Sequence, residues 1–218
     1  MKERSNEIEL MDRGPEFYTQ KEYEECLLKL FYVGKWSGIH RDTFRLFESI
    51  KPESVLDVGC GDGRFLNEVK KRFPQVHCLG IDISDTALRH TKKFEAEGLH
   101  FACSKELVKA DVIISTLVCH HMTDDELTGF LCAAFEKAEK AVIINDLVRC
   151  RTAKFLWQML APAVFSNRLI AHDGAVSIER AFVQSDWHAL LQKANIPPNC
   201  IDIRMRFPFR WQVILWKR

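Results

Sequence analysis

The sequence predicts an α/β protein built on a doubly wound sheet, and three observations carry that prediction. Short apolar runs suited to buried strands alternate with helical patterns. Residues 54–63, Ser-Val-Leu-Asp-Val-Gly-Cys-Gly-Asp-Gly, lead a strand into three glycines at alternate positions, and a helix-like stretch follows at once. A second strand, Leu79-Gly80-Ile81-Asp82, ends in an acid nineteen residues past Gly63. An acid there is the usual means of holding two ribose hydroxyls.

Each element follows in order. Residues 15–50 read as helices before the first strand, with Tyr23, Cys26, Leu27, Leu30 and Phe31 at helical spacing. Candidate strands are 54–58, 76–81, 99–102, 111–115 and 141–145, with helices at 64–72, 85–96 and 124–138 between them. Ser84 and Thr123 stand where N-caps are needed. Residues 147–184 separate the fifth strand from a last helix, 186–195. Ile201–Arg206 and Trp211–Trp216 then form a terminal antiparallel hairpin around Phe207-Pro208-Phe209.

With 218 residues and 47% apolar content, the chain suits a single domain, 1–218. A net charge of +1 argues against a broad polybasic surface, so no nucleic-acid partner is expected. No stretch approaches a membrane span and the first ten residues lack a signal peptide's apolar segment, which predicts a cytoplasmic protein with at most peripheral membrane contact. The eight cysteines are scattered, with no C-x-x-C pair, and most sit in apolar runs as small reduced hydrophobes.

The glycine turn carries the chemistry. Glycines after a strand allow φ > 0 and let a ligand lie against bare peptide groups at a helix N-terminus. The spacing is G-x-G-x-G, not the G-x-G-x-x-G of dinucleotide-binding turns. Asp57 stands inside the apolar run, and a buried carboxylate needs a cationic or hydrogen-bonding partner such as a cofactor's ammonium group. The strand acid, triple glycine and second acid together resemble motifs I and II of the class I S-adenosylmethionine (SAM) dependent methyltransferases. The resemblance implies SAM as cofactor and a Rossmann-like seven-stranded methyltransferase sheet with helices on both faces. It places Asp57, Gly59 and Gly61 at the methionine part of SAM, Asp82 at the ribose and Ile83 at the adenine. It also implies that the N-terminal helices (15–50) and the insertion (147–184) form a lid. Relatives often carry an Asp after the third strand; here Ser104 either takes that adenine contact or caps a following helix. Ser115 ends the fourth strand at the cofactor edge.

The acceptor side is read from two clusters. The Asn/Asp-Pro-Pro-aromatic motif of amino- and adenine-directed enzymes is absent after the fourth strand. Leu117-Val118-Cys119-His120-His121 instead resembles small-molecule methyltransferases of the ubiquinone/menaquinone biosynthesis type. Histidine is the side chain best tuned to take a proton near neutral pH, so His120 and His121 are candidate bases, with a structural role as the alternative. No metal site is expected at the pair, because neighbouring side chains diverge and no further ligand is evident. The second cluster, Asn145-Asp146-Leu147-Val148-Arg149 with His172-Asp173-Gly174-Ala175-Val176-Ser177-Ile178-Glu179-Arg180, resembles bacterial methyltransferases that accompany type III polyketide synthases. That resemblance implies a phenolic, pyrone or quinone-like small-molecule acceptor. Asp146, Arg149, Asp173 and Arg180 are then either substrate contacts or a salt-bridged brace, with each arginine pairing with Asp146 or Asp173 and His172 as a further candidate base. The apolar stretch 155–165 serves as core or as a greasy lid. An excess of seven positive charges from Val148 onward fits an acidic acceptor, an anionic surface or a solvated face. The expected reaction is O- or C-methylation of a small lipophilic compound. The alternatives are a protein or RNA methyltransferase and a catalytically idle SAM-binding protein.

Overall fold

The computed structural model describes residues 3–217. Its seven strands are β1 (Ser54–Val58), β2 (His77–Asp82), β3 (Leu99–Cys103), β4 (Ala110–Thr116), β5 (Ala138–Leu147), β6 (Ile201–Arg206) and β7 (Arg210–Trp216). They form one sheet in the order β3-β2-β1-β4-β5-β7-β6. All neighbours are parallel except β7, which runs antiparallel to both β5 and β6. The central strands are covered on both faces, which is why they read as continuous apolar runs rather than alternating ones. Among the described residues no helix is long and apolar enough to cross a membrane.

The two faces carry separate cores. On one, Val55, Val112, Ile114 and Ile143 pack with Phe47 of α2 (Ile39–Ile50) and with Leu66 and Val69 of α3 (Arg64–Arg72). On the other, Leu56, Ile113, Val142 and Val213 meet Leu127 and Leu131 of α5 (Asp124–Lys137) and Trp187 and Leu191 of α8 (Gln184–Lys193). Register puts Asp57 opposite Ile114, Thr116 opposite Asn145, and Asn145 opposite Gln212. The α2–α3 face therefore ends, at the carboxyl edge, in a row of polar side chains.

Thr123 caps α5 through a capping box with Glu126, and the same device joins Thr19 and Glu22 at the start of α1 (Gln20–Trp36). Ser84 caps Ala87, but the helix it opens, α4, runs only Asp85–Leu88, before a 3₁₀ turn at Lys92–Phe94. The expected helix 85–96 ends early because the Thr91 hydroxyl donates to the Leu88 carbonyl, competing with the helical ladder.

The insertion after β5 forms α6 (Arg151–Val164) and α7 (Arg168–Arg180). Cys26 of α1, Ala161 of α6, Phe165 and Leu169 make a third core that joins these helices to α1. Only one side of α6 is used in this way. Phe155, Met159, Leu160 and Val164 face solvent, so the greasy stretch divides into core and exposed stripe rather than forming a closed lid. Residues 4–12, which carry no periodicity or motif, lie across α7 and the turn after β4. The amide of Ser5 donates to the Glu179 carbonyl, and those of Leu10 and Met11 donate to the two oxygens of Asp173.

Candidate active site

The cradle begins where β1 ends. Gly59, Gly61 and Gly63 all adopt positive φ, at 76°, 56° and 75°. The amides of Gly59 and Cys60 donate to the Ile81 carbonyl at 2.8 and 3.1 Å, tying the turn to β2. A Cβ on Gly59 would stand 2.3 Å from Val118, whereas one on Gly61 would meet nothing nearer than Leu27 of α1 at 3.9 Å. Gly59 is thus required by packing, whereas Gly61 borders open space.

Asp82 closes the turn: its carboxylate accepts from the amides of Gly61 (2.8 Å) and Ser84 (2.9 Å) and keeps further lone pairs. Beyond it, Ile83 exposes 68% of its surface, an apolar side chain with no cover. Asp57 is 3% exposed and makes no hydrogen bond or ion pair among the described residues. Burial, and then the nearby Asp82, push its pKa up to about 8. A buried acid with no cation, a bare glycine turn, a diol-compatible carboxylate and an uncovered aliphatic side chain fit the ammonium, backbone, ribose and adenine of SAM. Tyr23 of α1 reaches over this edge, its hydroxyl 3.0 Å from Ser84 Oγ.

The other two expected cofactor contacts, Ser104 and Ser115, have local neighbours. Ser104 Oγ accepts from the Glu106 amide at 2.9 Å in a loop that forms no helix, so its side chain is used locally. Ser115 is fully buried with Cys119 Sγ as its neighbour, at 3.9 Å.

The histidine turn abuts the glycine turn through Val118. It starts at Leu117, a non-glycine residue at φ 56°, whose amide donates to the Asn145 carbonyl at 2.8 Å. His120 is buried, with Nδ1 2.7 Å from Asp146 Oδ1 and Nε2 3.5 Å from Glu9 Oε1. Burial disfavours its charge, but Asp146 and Glu9 outweigh that and raise its pKa to about 10. Burial likewise works against ionised Glu9, yet His120, His121 and the Ser177 hydroxyl hold it down at about 2. His120 is thus held as an imidazolium between two carboxylates and is not the free base expected. His121 is part-exposed, with Nδ1 2.8 Å from Asp12 Oδ2 and Nε2 3.9 Å from Glu9 Oε2. Nor do the two rings diverge as expected. Their centroids lie 4.3 Å apart and both Nε2 atoms face one carboxylate.

The second cluster makes the contacts of a brace, and the expected arginine pairings are corrected. Asp146 is fully buried, and its carboxylate accepts from the His120 and Leu147 amides besides pairing with the His120 ring, which leaves no face for a substrate. Arg149 pairs with Asp186 at the start of α8 (3.2 Å) and donates to the Ala181 carbonyl, not to Asp146 or Asp173. Arg180 uses its planar fork on the carbonyls of His120 (3.0 Å), His121 (2.7 Å) and Glu7 (2.8 Å). Asp173 holds the amides of Leu10 and Met11 and sits 2.8 Å from His172 Nδ1, with His172 half-exposed beside Glu7. The cluster therefore clamps residues 4–12 over the histidine turn. Arg4 adds to the clamp through Asp124 and the Met122 carbonyl.

Sequence reasoning missed Glu9, Asp12 and, beside Asn145, the rest of a polar row. Thr116 Oγ1, Asn145 Oδ1 and Gln212 Nε2 are buried without a hydrogen-bond partner. Asn145 Nδ2 donates to Thr43 of α2 at 3.2 Å. A polar residue inside an otherwise apolar strand was the available signal for Asn145 and Gln212; no local pattern marks Glu9.

Residues 56–136 match a family described as "Methyltransferase domain". No curated protein sequence matches the chain. Among solved structures, that of the plantazolicin methyltransferase BpumL, in complex with a triazolic desmethylPZN analog and SAH, aligns with a TM-score of 0.71 at 16% identity, over 94% of this chain and 92% of that one. BamL, another plantazolicin methyltransferase, aligns at 0.70 and 17% identity over 94% and 92%. Human N-acetylserotonin methyltransferase, in complex with SAM, aligns at 0.61 and 16% identity over 89% of this chain and 56% of that one. At such identities the likeness speaks for the fold. The family match speaks for the half of the sheet that runs from β1 through the glycine turn, Asp82 and the histidine turn to α5. Sequence match and sheet topology agree on that half: residues 56–136 match a methyltransferase domain, and the chain shares the fold of methyltransferases solved with SAM or SAH.

Proposed function

We propose that the chain methylates oxygen, or an enol carbon, of a small lipophilic phenolic, pyrone or quinone-like acceptor. The observation that carries this reading is the position of His121: part-exposed, backed by Glu9 and Asp12, in a turn whose Val118 touches the glycine turn. A phenol or enol needs its proton removed as it attacks, and an imidazole at that edge suits the task. In this reading Asp57 takes the cofactor's ammonium group, the Gly59–Gly61 backbone its carboxylate side, Asp82 the ribose and Ile83 the adenine. SAM, when bound, supplies an electrophilic methyl group on a sulfonium. His121 accepts the acceptor's proton at Nε2 while Asp12 fixes its tautomer at Nδ1. His120, charged and buried, holds the turn and Glu9 in place. Thr116, Asn145 and Gln212 offer unpaired polar atoms to a bound acceptor, since a buried polar group without a partner costs about 1–3 kcal/mol.

A second reading, an extended acceptor comparable to the desmethylPZN analogs of the structural neighbours, is favoured by the exposed apolar stripe of α6. Radiolabelled SAM with a panel of phenols, pyrones, quinols and azole peptides, beside a whole-cell lysate, separates these. Label in a small aromatic product is the expected result. Label only in lysate protein or RNA overturns it, and SAH binding without any turnover points to an idle binding protein.

A further inference from the structure

The turn after β4 carries an arrangement that the methyl-transfer reading does not use. Three groups, the Glu9 carboxylate and the adjacent imidazoles of His120 and His121, offer ligand atoms all within 4.8 Å of one another, and both Nε2 atoms face the carboxylate. Each imidazole has its other nitrogen committed to an acid: Asp146 at 2.7 Å for His120, Asp12 at 2.8 Å for His121. In the cation-free state Nε2 of His120 faces Glu9 as a charged donor; an acid on Nδ1 lets each ring keep its proton there and yield Nε2 to a metal. Two imidazole nitrogens and one buried carboxylate then converge on one point, where a cation can replace the Nε2 protons. Protons on both rings would put two positive charges on centroids 4.3 Å apart. A single divalent ion meets all three ligands at once.

We propose that Glu9, His120 and His121 bind a zinc-type divalent cation, with its remaining position open to the acceptor's oxygen. Two nitrogens and a carboxylate with an open position are the ligand set of catalytic zinc sites. Carboxylates on the distal nitrogens are the outer contacts that orient metal-binding histidines. Tetrahedral ligands about 2.0–2.1 Å from zinc stand roughly 3.3 Å apart. The observed Nε2-to-Glu9 separations are 3.5 Å to Oε1 and 3.9 Å to Oε2, and all the ligand atoms lie within 4.8 Å of one another, so closure needs inward shifts of up to about 1.5 Å against the tetrahedral spacing. Ser177 fixes Glu9 from behind, its hydroxyl donating to Oε1 at 2.7 Å. Glu9 and His120 are buried, while part-exposed His121 marks the open side. There a cation would hold a phenolate or enolate and take over from the His121 imidazole in keeping the acceptor deprotonated. That role rests on the acceptor proposed above; the site itself does not.

The test is a titration of the chelator-dialysed full chain with Co²⁺, followed by its visible d–d absorption, and with Zn²⁺ in competition against a chromophoric chelator. One equivalent should bind, with the intense bands of four-coordinate cobalt and without the sulfur charge-transfer absorption that cysteine ligands would add. His121→Ala and Glu9→Gln should each weaken binding at least 100-fold. Asp12→Asn, which leaves all three ligands in place, should weaken it by roughly 10–100-fold. Calorimetry with SAH shows that each variant is folded. Should Glu9→Gln fail to fold, the surface substitution Asp12→Asn decides. Absence of stoichiometric binding in the wild type, or binding unchanged in His121→Ala and Asp12→Asn, overturns the site and leaves His121 as the base. A chain that binds one cobalt yet methylates no phenol keeps the metal site and loses the acceptor class.

Discussion

The cofactor cradle and the histidine turn face each other across one sheet edge and are built by opposite means. The cradle comes from residues 57–84. Backbone amides and positive-φ glycines do most of the work, and its deepest acid, Asp57, has no partner among the described residues. The histidine turn draws on residues 4–12, 120–122, 146 and 173–180, and almost every polar group in it is paired. The first region leaves its acid open to a ligand, while in the second the chain's own groups pair with one another. Substitutions in the cradle should therefore change affinity for SAM and spare the fold, while those around the histidines should change turnover or stability and spare SAM.

Gly61→Val tests this most severely. Its Cβ meets no protein atom inside 3.9 Å, so the fold should survive the roughly 1–3 kcal/mol of left-handed backbone strain, while the branched side chain fills the open side of the turn. SAH binding should vanish in calorimetry, and retained affinity would remove the cofactor from this turn. Next in size is His121→Ala, expected to lower kcat by about 10²–10⁴-fold with SAH affinity nearly intact. If SAH affinity falls as far as kcat, the two regions are not separate. Asp82→Ala should weaken SAH by about 2–3 kcal/mol, the range for hydrogen bonds to a charged group. Part of that loss comes through Gly61, whose amide Asp82 holds.

Asp57 gives a smaller, pH-dependent effect. Its folded pKa, about 8, lies above the ordinary carboxylate value. The cofactor-free fold thus keeps a proton that the unfolded chain releases near pH 4. This contribution to stability is full below that pH and is lost as pH rises to about 8, at no more than about 1.4 kcal/mol per unit. SAM affinity should move the opposite way. It rises from pH 6 toward 8 as the carboxylate ionises, then falls where the ligand's own α-amino group, near 8, loses its charge. Melting curves and calorimetry across that range should show the crossing, and Asp57→Asn should flatten both. A flat affinity profile would mean that Asp57 is already ionised. Smallest of all is Arg180→Lys. Losing the planar fork that spans three carbonyls should cost about 1–2 kcal/mol of stability and speed limited proteolysis near residues 4–12, with SAH affinity unchanged.

Legibility follows the same division. Asp57, Gly59, Gly61, Asp82 and Ile83 lie within 27 consecutive residues, and one strand–turn–helix unit and the next strand bring them together locally. Ser104 reads as an adenine contact or a helix cap; its hydroxyl accepts from the Glu106 amide in a loop where no helix forms. The arginines were readable as charges near the right edge but not as partners. Arg149 found Asp186 and Arg180 found backbone carbonyls, since any of several acids lay within reach of side chains that long.

By itself the sequence determined the strand order's raw material, the glycine turn, both cradle acids and the placement of a histidine pair at a strand's end. These rest on strand burial, glycine φ and residue spacing, all of which act over a few residues. Only the tertiary structure decided that Glu9, in a segment with no motif, would fold back more than one hundred residues to meet His120, that Asp146 would charge the ring from the other side, and that both imidazoles would aim at one carboxylate. Contacts of that span depend on how α7 and the N-terminal segment pack across the sheet edge, and no local pattern encodes it.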